Sequence, residues 1–226
     1  GGHVPTALFA WLVGGVLSLI GALSYAELSS MDRSAGGLYA YIRDAFGAFP
    51  AFLYGWTLFF VIGAGTIATL AVATTDYLGQ FVTFSALGAK AVAVGLIVIT
   101  AAINVIGTRE SASVQNVSSL IKVGGIVLMG ALLLAMGDRP VLQSTSDAAG
   151  TTLSAIGLAM ISVLWAYEGW QYVTFSDGEA IEPQRTIPRA LVIGTAALTA
   201  LYLFANIGYL AAMGADRVAV SERVAA

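Results

Sequence analysis

The sequence predicts an all-α integral membrane protein with about six transmembrane helices. Three observations carry this prediction. Hydrophobic residues make up 58% of the 226-residue chain and charged residues only 10%, whereas a soluble domain carries about 25% charge. Mean hydropathy is +0.85. The apolar residues are gathered into runs of about 20 or more, the length that crosses a bilayer. A chain so short of charge cannot cover a water-facing surface, so its solvent is largely lipid.

The same composition excludes several function classes. Net charge is −3 with no basic block, so nucleic acid has no electrostatic footing. There is no cysteine, which removes disulfides and thiolate metal sites. The single histidine, His3, cannot make a metal centre alone and reads as a solvated terminal residue. No phosphate-binding glycine loop, metal-ligand spacing or Ser/His/Asp set is present, so neither an enzyme nor a cofactor is expected. The chain opens at Gly1 without an initiator methionine or a signal-peptide charge pattern, which reads as a segment of a longer protein.

The spans fall at about 6–29, 50–81, 89–107, 111–136, 152–180 and 188–213. The second is long enough to imply tilt. Pro188 suits the first turn of the last helix, with Thr186 as its cap. Between the first two spans, "MDRSAGGLYAYIRDAFGAFP" is too charged for the lipid core. Leu38, Tyr41, Ile42 and Ala45 recur there at helical spacing, predicting an interfacial helix over about 37–46. The tail "ADRVAVSERVAA" reads as a second short amphipathic helix. Small residues at every fourth position (Gly14, Ser18, Ala22, Ala26, and again Gly65, Thr69, Ala73) predict close helix packing in lipid.

Orientation follows from the loop cations. Arg33, Arg43, Arg109, Arg185 and Arg189 would share one side; the opposite interhelical loops hold Lys90 and Arg139. The richer side belongs in the cytoplasm, leaving both ends of this segment outside. Arg217 and Arg223 in the tail count against this assignment.

Three places carry chemistry. In "LWAYEGWQY", Glu168 and Gly169 interrupt an apolar span. A mid-membrane charge costs roughly 2.5–3.5 kcal/mol, and a helix-interior glycine about 1 kcal/mol relative to alanine. Together they mark either a helix that opens, exposing N–H and C=O ends suited to a zwitterion, or an intact helix with its carboxylate in a watery vestibule. Lys122 lies well inside the fourth span, on one face with Ser118 and Gly125. Either it is buried against carbonyl or carboxylate partners, or it snorkels to the interface. Asp177, Glu179 and Glu182 cluster in "SDGEAIEPQRTIPRA", as ordinary end charges or as ion-pair partners of Arg33, Arg185 or Arg189 in a gate.

"GALSYAELSSMDRSAGGLYAYIRDAFG" resembles the second-helix motif of amino acid permeases of the amino acid–polyamine–organocation superfamily, the L-type-like branch fitting best. "LWAYEGWQYVTFSDGEAIEPQRTIPRAL" is similar to their broken sixth helix and the loop into the seventh, and "VQNVSSLIKVGG" to their fifth. The resemblance covers nearly the whole chain. It implies two inverted five-helix repeats, of which this chain supplies helices two to seven, the fifth span broken near 167–170. The first helix and those after the seventh would belong to the rest of the protein. The substrate would be an amino acid, with protons as a second candidate partner beside the lipid bilayer. Trp165 would stand at an aromatic gate, Tyr167, Glu168 and Gly169 in the unwound stretch, and Trp170 and Gln171 at the side-chain pocket. Lys122 would replace a sodium ion, with Tyr202 nearby. Many relatives have glycine or aspartate in place of Glu168, so substrate preference and coupling do not carry over. The expected activity is sodium-independent exchange or proton-linked uptake at the plasma membrane. The alternative is a non-transporting membrane sensor, or a partial gene product that assembles with other subunits.

Overall fold

A computed structural model describes residues 4–31, 36–137, 153–214 and 217–218. The described elements are helical: α1 (Val4–Met31), α2 (Leu38–Phe46), α3 (Ala48–Thr57), a π-helical turn (Leu58–Gly63), α4 (Ala64–Leu78), α5 (Ala86–Ile106), α6 (Thr108–Met136), α7 (Leu153–Tyr167), a 3₁₀ segment (Trp170–Glu179) and α8 (Pro183–Met213). Among the described residues, five helical stretches are long and apolar enough to cross a membrane: Pro5–Met31, Ala48–Leu78, Ala86–Ile106, Arg109–Met136 and Pro183–Met213. The chain is an all-α multi-pass membrane protein.

The run at 152–180 is not a single helix. α7 has 15 residues, which gives about 22 Å of rise, short of a bilayer core. The chain then turns at Glu168–Gly169 and continues as the 3₁₀ segment.

The described residues fall into two compact units, one within Gly1–Tyr41 and Val123–Ala225 and the other within Ile42–Lys122. In the first, α1 packs along α8 and against α7, and the 3₁₀ segment lies on α8 and α1. Its core has two parts. Ala22, Ala26, Ile187 and Leu191 form one, with Tyr25, Trp170 and Val173 against it. Ala10, Val163 and Tyr167 form the other, with Trp11, Met160, Leu198 and Tyr202. The small-residue stripe of α1 is what makes this approach close: Gly14, Ser18, Ala22 and Ala26 are all buried. A Cβ on Gly15 would overlap the Thr199 side chain of α8, so only glycine permits this helix spacing.

In the second unit, α4 packs antiparallel on α5 across the 79–85 connection. Here the expected stripe is displaced. Gly65 and Thr69 are exposed and Ala73 half-buried, while Ala71 and Thr75 are buried on α4 and Ala93 on α5. Both sets recur every fourth residue, and spacing alone does not choose between faces of a helix apolar all round. α5 starts with a regular cap, Gly88 N–H donating to Ser85 Oγ at 3.1 Å.

The start of the last helix also differs from the sequence expectation. α8 begins at Pro183, so Pro188 lies inside it. Pro183 occupies the first turn, where its absent N–H is no loss. Thr186 does not cap. Its hydroxyl donates to Ile181 O at 2.8 Å, and the capping position is Glu182, with φ +49°. Arg33, Arg139 and most of the 215–226 tail lie outside the described residues, as do the side chains of Asp177 and Glu179.

Candidate functional site

The interruption after α7 is built by backbone geometry and then sealed by side chains. Gly169 has φ +118°, a conformation that an L side chain adopts only under strain. Before it, the helix tightens: Glu168 N–H donates to Trp165 O at 3.2 Å, an i→i−3 bond typical of a closing helix end. After it, Tyr172 N–H donates to Gly169 O at 3.2 Å and starts the 3₁₀ segment.

A helix end leaves its last carbonyls and the next helix's first N–H groups without intrahelical partners. Two side chains meet part of this need. Tyr202 Oη on α8 donates to Ala166 O at 2.8 Å, and Gln171 Oε1 accepts from Gly169 N–H at 3.0 Å. Tyr167 Oη donates to Trp11 O of α1 at 3.1 Å. Tyr167 is 1% exposed, and a phenol so buried requires such a partner. The rings of Trp11, Tyr167 and Tyr202 form a closed triangle with centroids 5.9, 5.2 and 5.1 Å apart, in tilted and edge-to-face arrangements that favour aromatic contact. The last turn of α7 is thereby tied to both α1 and α8.

Beyond the turn, Trp170 meets Tyr25 edge-on with centroids 5.2 Å apart and lies over Gly21. Thr174 is fully buried, its hydroxyl donating to Gln171 O at 2.8 Å, and Gly37 closes against Thr174 and Phe175. Gln184 Nε2 donates to Ser30 O at 3.2 Å. The two long sequence motifs therefore pack against each other along much of their length.

The site residues expected from sequence take different positions in this arrangement. Glu168 is exposed at the turn, its Oε1 accepting from Tyr172 Oη at 3.3 Å. Trp165 is 56% exposed, one turn before the break. Tyr167, Gly169 and Tyr202 meet at the break itself. Trp170 is half-buried in the α1–α8 packing and Gln171 folds back on the turn. Lys122 belongs to the other unit, exposed on α6, where it borders a shallow groove with Val117, Ser118 and Ile121. Near the acidic cluster, Glu182 and Arg185 pair at 3.8 Å, both largely exposed; such a pair contributes little.

Sequence reasoning missed Trp11, Tyr172 and Thr199. Tyr172 had a signal, standing four residues after Glu168 in the quoted motif. Trp11 acts through its backbone carbonyl, which no residue pattern announces.

Apolar helices around one interrupted at its glycine, with the interruption braced by neighbouring helices, define a multi-pass membrane protein with a broken helix. The chain belongs to the amino acid permease family, whose model matches residues 2–226. It is 32% identical over 229 residues to the b(0,+)-type amino acid transporter 1 of Mus musculus, covering 98% of this chain and 47% of that protein. It is 30% identical over 220 residues to the serine/threonine exchanger SteT of Bacillus subtilis (strain 168), covering 96% and 49%. It is 30% identical over 231 residues to the human cystine/glutamate transporter, covering 99% and 46%. The chain thus spans about half the length of these curated relatives. They are transporters and exchangers, not enzymes.

Proposed function

We propose that the full protein carries amino acids across the plasma membrane by alternating access, as a sodium-independent exchanger or a proton-linked uptake system. The observation that carries this reading is the opening at Glu168–Gly169. There α7 ends with its carbonyls, and the 3₁₀ segment begins with its N–H groups. The carbonyl end of a helix favours a cation and the N–H end an anion. A substrate's ammonium would face the end of α7, and its carboxylate the N–H groups of Trp170 and Gln171 at the start of the 3₁₀ segment. An irregular backbone at membrane depth is tolerated where it meets such a ligand or lines a cavity.

In this reading Trp165 covers the bound substrate, Tyr167 and Gly169 shape the opening, and Glu168 sets its charge. Trp170 and Gln171 border the side-chain pocket from the packed side. Lys122 supplies a fixed positive charge in place of a coupling cation, and Tyr202 holds the break from α8. The arginine-rich loops face the cytoplasm, with both ends of this segment outside.

The test is uptake by the full-length protein in liposomes with a panel of labelled amino acids. Saturable uptake that persists when choline replaces sodium is expected. Stimulation by internal amino acid would mark exchange, and stimulation by an inward proton gradient would mark proton linkage. A folded, inserted protein with no saturable uptake across the panel would contradict the reading.

A further inference from the structure

The second unit holds a cavity of its own, between α4 and α5. α4 and α5 diverge around a trough of about 460 Å³, walled by Val72, Val94 and Ile97 and floored by the buried Ala71, Thr75 and Ala93. The one polar group on the floor is already engaged, Thr75 Oγ1 donating to Ala71 O at 2.9 Å. From Ala68 to Asp76 the trough runs about 12 Å along α4 at 1.5 Å per residue. Its mouth carries two opposite charges, Asp76 near the end of α4 and Lys90 near the start of α5. Both are exposed, and neither has an ion-pair partner among the described residues.

We propose that this trough binds one zwitterionic phospholipid with a primary ammonium headgroup, its acyl chain in the trough, its phosphate on Lys90 and its ammonium on Asp76. The walls are aliphatic and lie on two helices long and apolar enough to cross a membrane, where acyl chains are the surrounding solvent. The headgroup follows from the mouth. An anionic lipid gains Lys90 but meets the like charge of Asp76. A choline lipid brings a quaternary ammonium that donates no hydrogen bond to the carboxylate. A primary ammonium beside a phosphate, with no further negative charge, satisfies both side chains with charge-assisted hydrogen bonds.

The experiment uses full-length protein in vesicles doped with a phosphatidylethanolamine carrying a photoactivatable acyl chain, followed by peptide mapping of the adducts. Adducts are expected on the peptides containing residues 68–76 and 89–97. Excess unlabelled phosphatidylethanolamine should suppress them at least fivefold more effectively than phosphatidylcholine or phosphatidylglycerol. Val94→Trp, which fills the trough from an exposed wall position, should abolish them while the melting temperature holds. The Asp76→Asn, Lys90→Gln double variant should keep the adducts but lose the headgroup preference. Absence of adducts on both peptides in a folded protein would overturn the proposal, because another part of the protein then fills the trough. Equal competition by all three lipids in the parent would also overturn it, because the charged mouth then selects nothing.

Discussion

At the residue scale, the account rests on Gly169 and Tyr202. Gly169→Ala meets nothing within 4 Å of the new Cβ, so its cost is backbone strain alone, about 1–3 kcal/mol. We expect the variant to insert normally while substrate affinity falls tenfold or more, read by ligand-dependent thermal shift. Tyr202→Phe keeps the ring contacts with Trp11 and Tyr167 and removes only the donor to Ala166 O. The orphaned acceptor is part-buried, so its loss costs about 1 kcal/mol, the low end of the range for an unsatisfied group, and affinity should fall several-fold with helix packing intact. Wild-type affinity in this variant would show that the bond does not hold the break. Glu168→Gln preserves an acceptor for Tyr172 Oη and deletes the charge, so any loss of affinity measures the charge itself. Glu168 and Gly169 were legible in the sequence, because a carboxylate and a glycine in an apolar run each cost free energy and ask for a reason. The bracing was not. Tyr202 and Trp11 lie far from the motif in sequence, and the groups that receive or supply their bonds are backbone atoms common to every residue.

At the element scale, α1 and α8 form the frame against which α7 breaks. Gly15→Val places atoms on Thr199, and overpacking of this kind costs about 1–3 kcal/mol. Its melting temperature should drop by several degrees, whereas Gly157→Ala on α7, which meets open space, should leave it unchanged or raised. A smaller effect at Gly15 than at Gly157 would mean that α1 and α8 do not pack as described. The sequence was informative about helix existence and less so about helix ends and faces. Hydrophobic runs mark spans because lipid demands them, but Pro183 and Pro188 both satisfy the rule for a first turn, and the packing onto Ser30 and the 3₁₀ segment selects the earlier one. Likewise Gly65–Thr69 and Ala71–Thr75 are both small-residue pairs, and only the neighbour α5 distinguishes them. The break in α7 was legible as a place, near 167–170, whereas the 3₁₀ geometry that follows it depends on Thr174 and Phe175 meeting Gly37, a tertiary contact.

At the scale of the whole molecule, the interrupted helix leads to one functional proposal and the loop cations to one topological proposal. The topological proposal puts Ser34, in the loop after the first span, on the cytoplasmic side and Ser144, in the loop after the fourth, outside. Single cysteines at these positions in whole cells should show labelling by an impermeant reagent at 144 and not at 34; the reverse would invert the orientation. The functional proposal is that the opening at Glu168–Gly169 holds both charged ends of an amino acid. Its most direct test is equilibrium binding of a labelled amino acid substrate to the purified full-length protein in sodium-free buffer, with parent and Gly169→Ala compared. The account predicts saturable binding to the parent that the substrate's methyl ester and N-acetyl derivative fail to displace, because each lacks one charge, and loss of that binding in folded Gly169→Ala. Unchanged binding in the variant, or full displacement by either derivative, would contradict it.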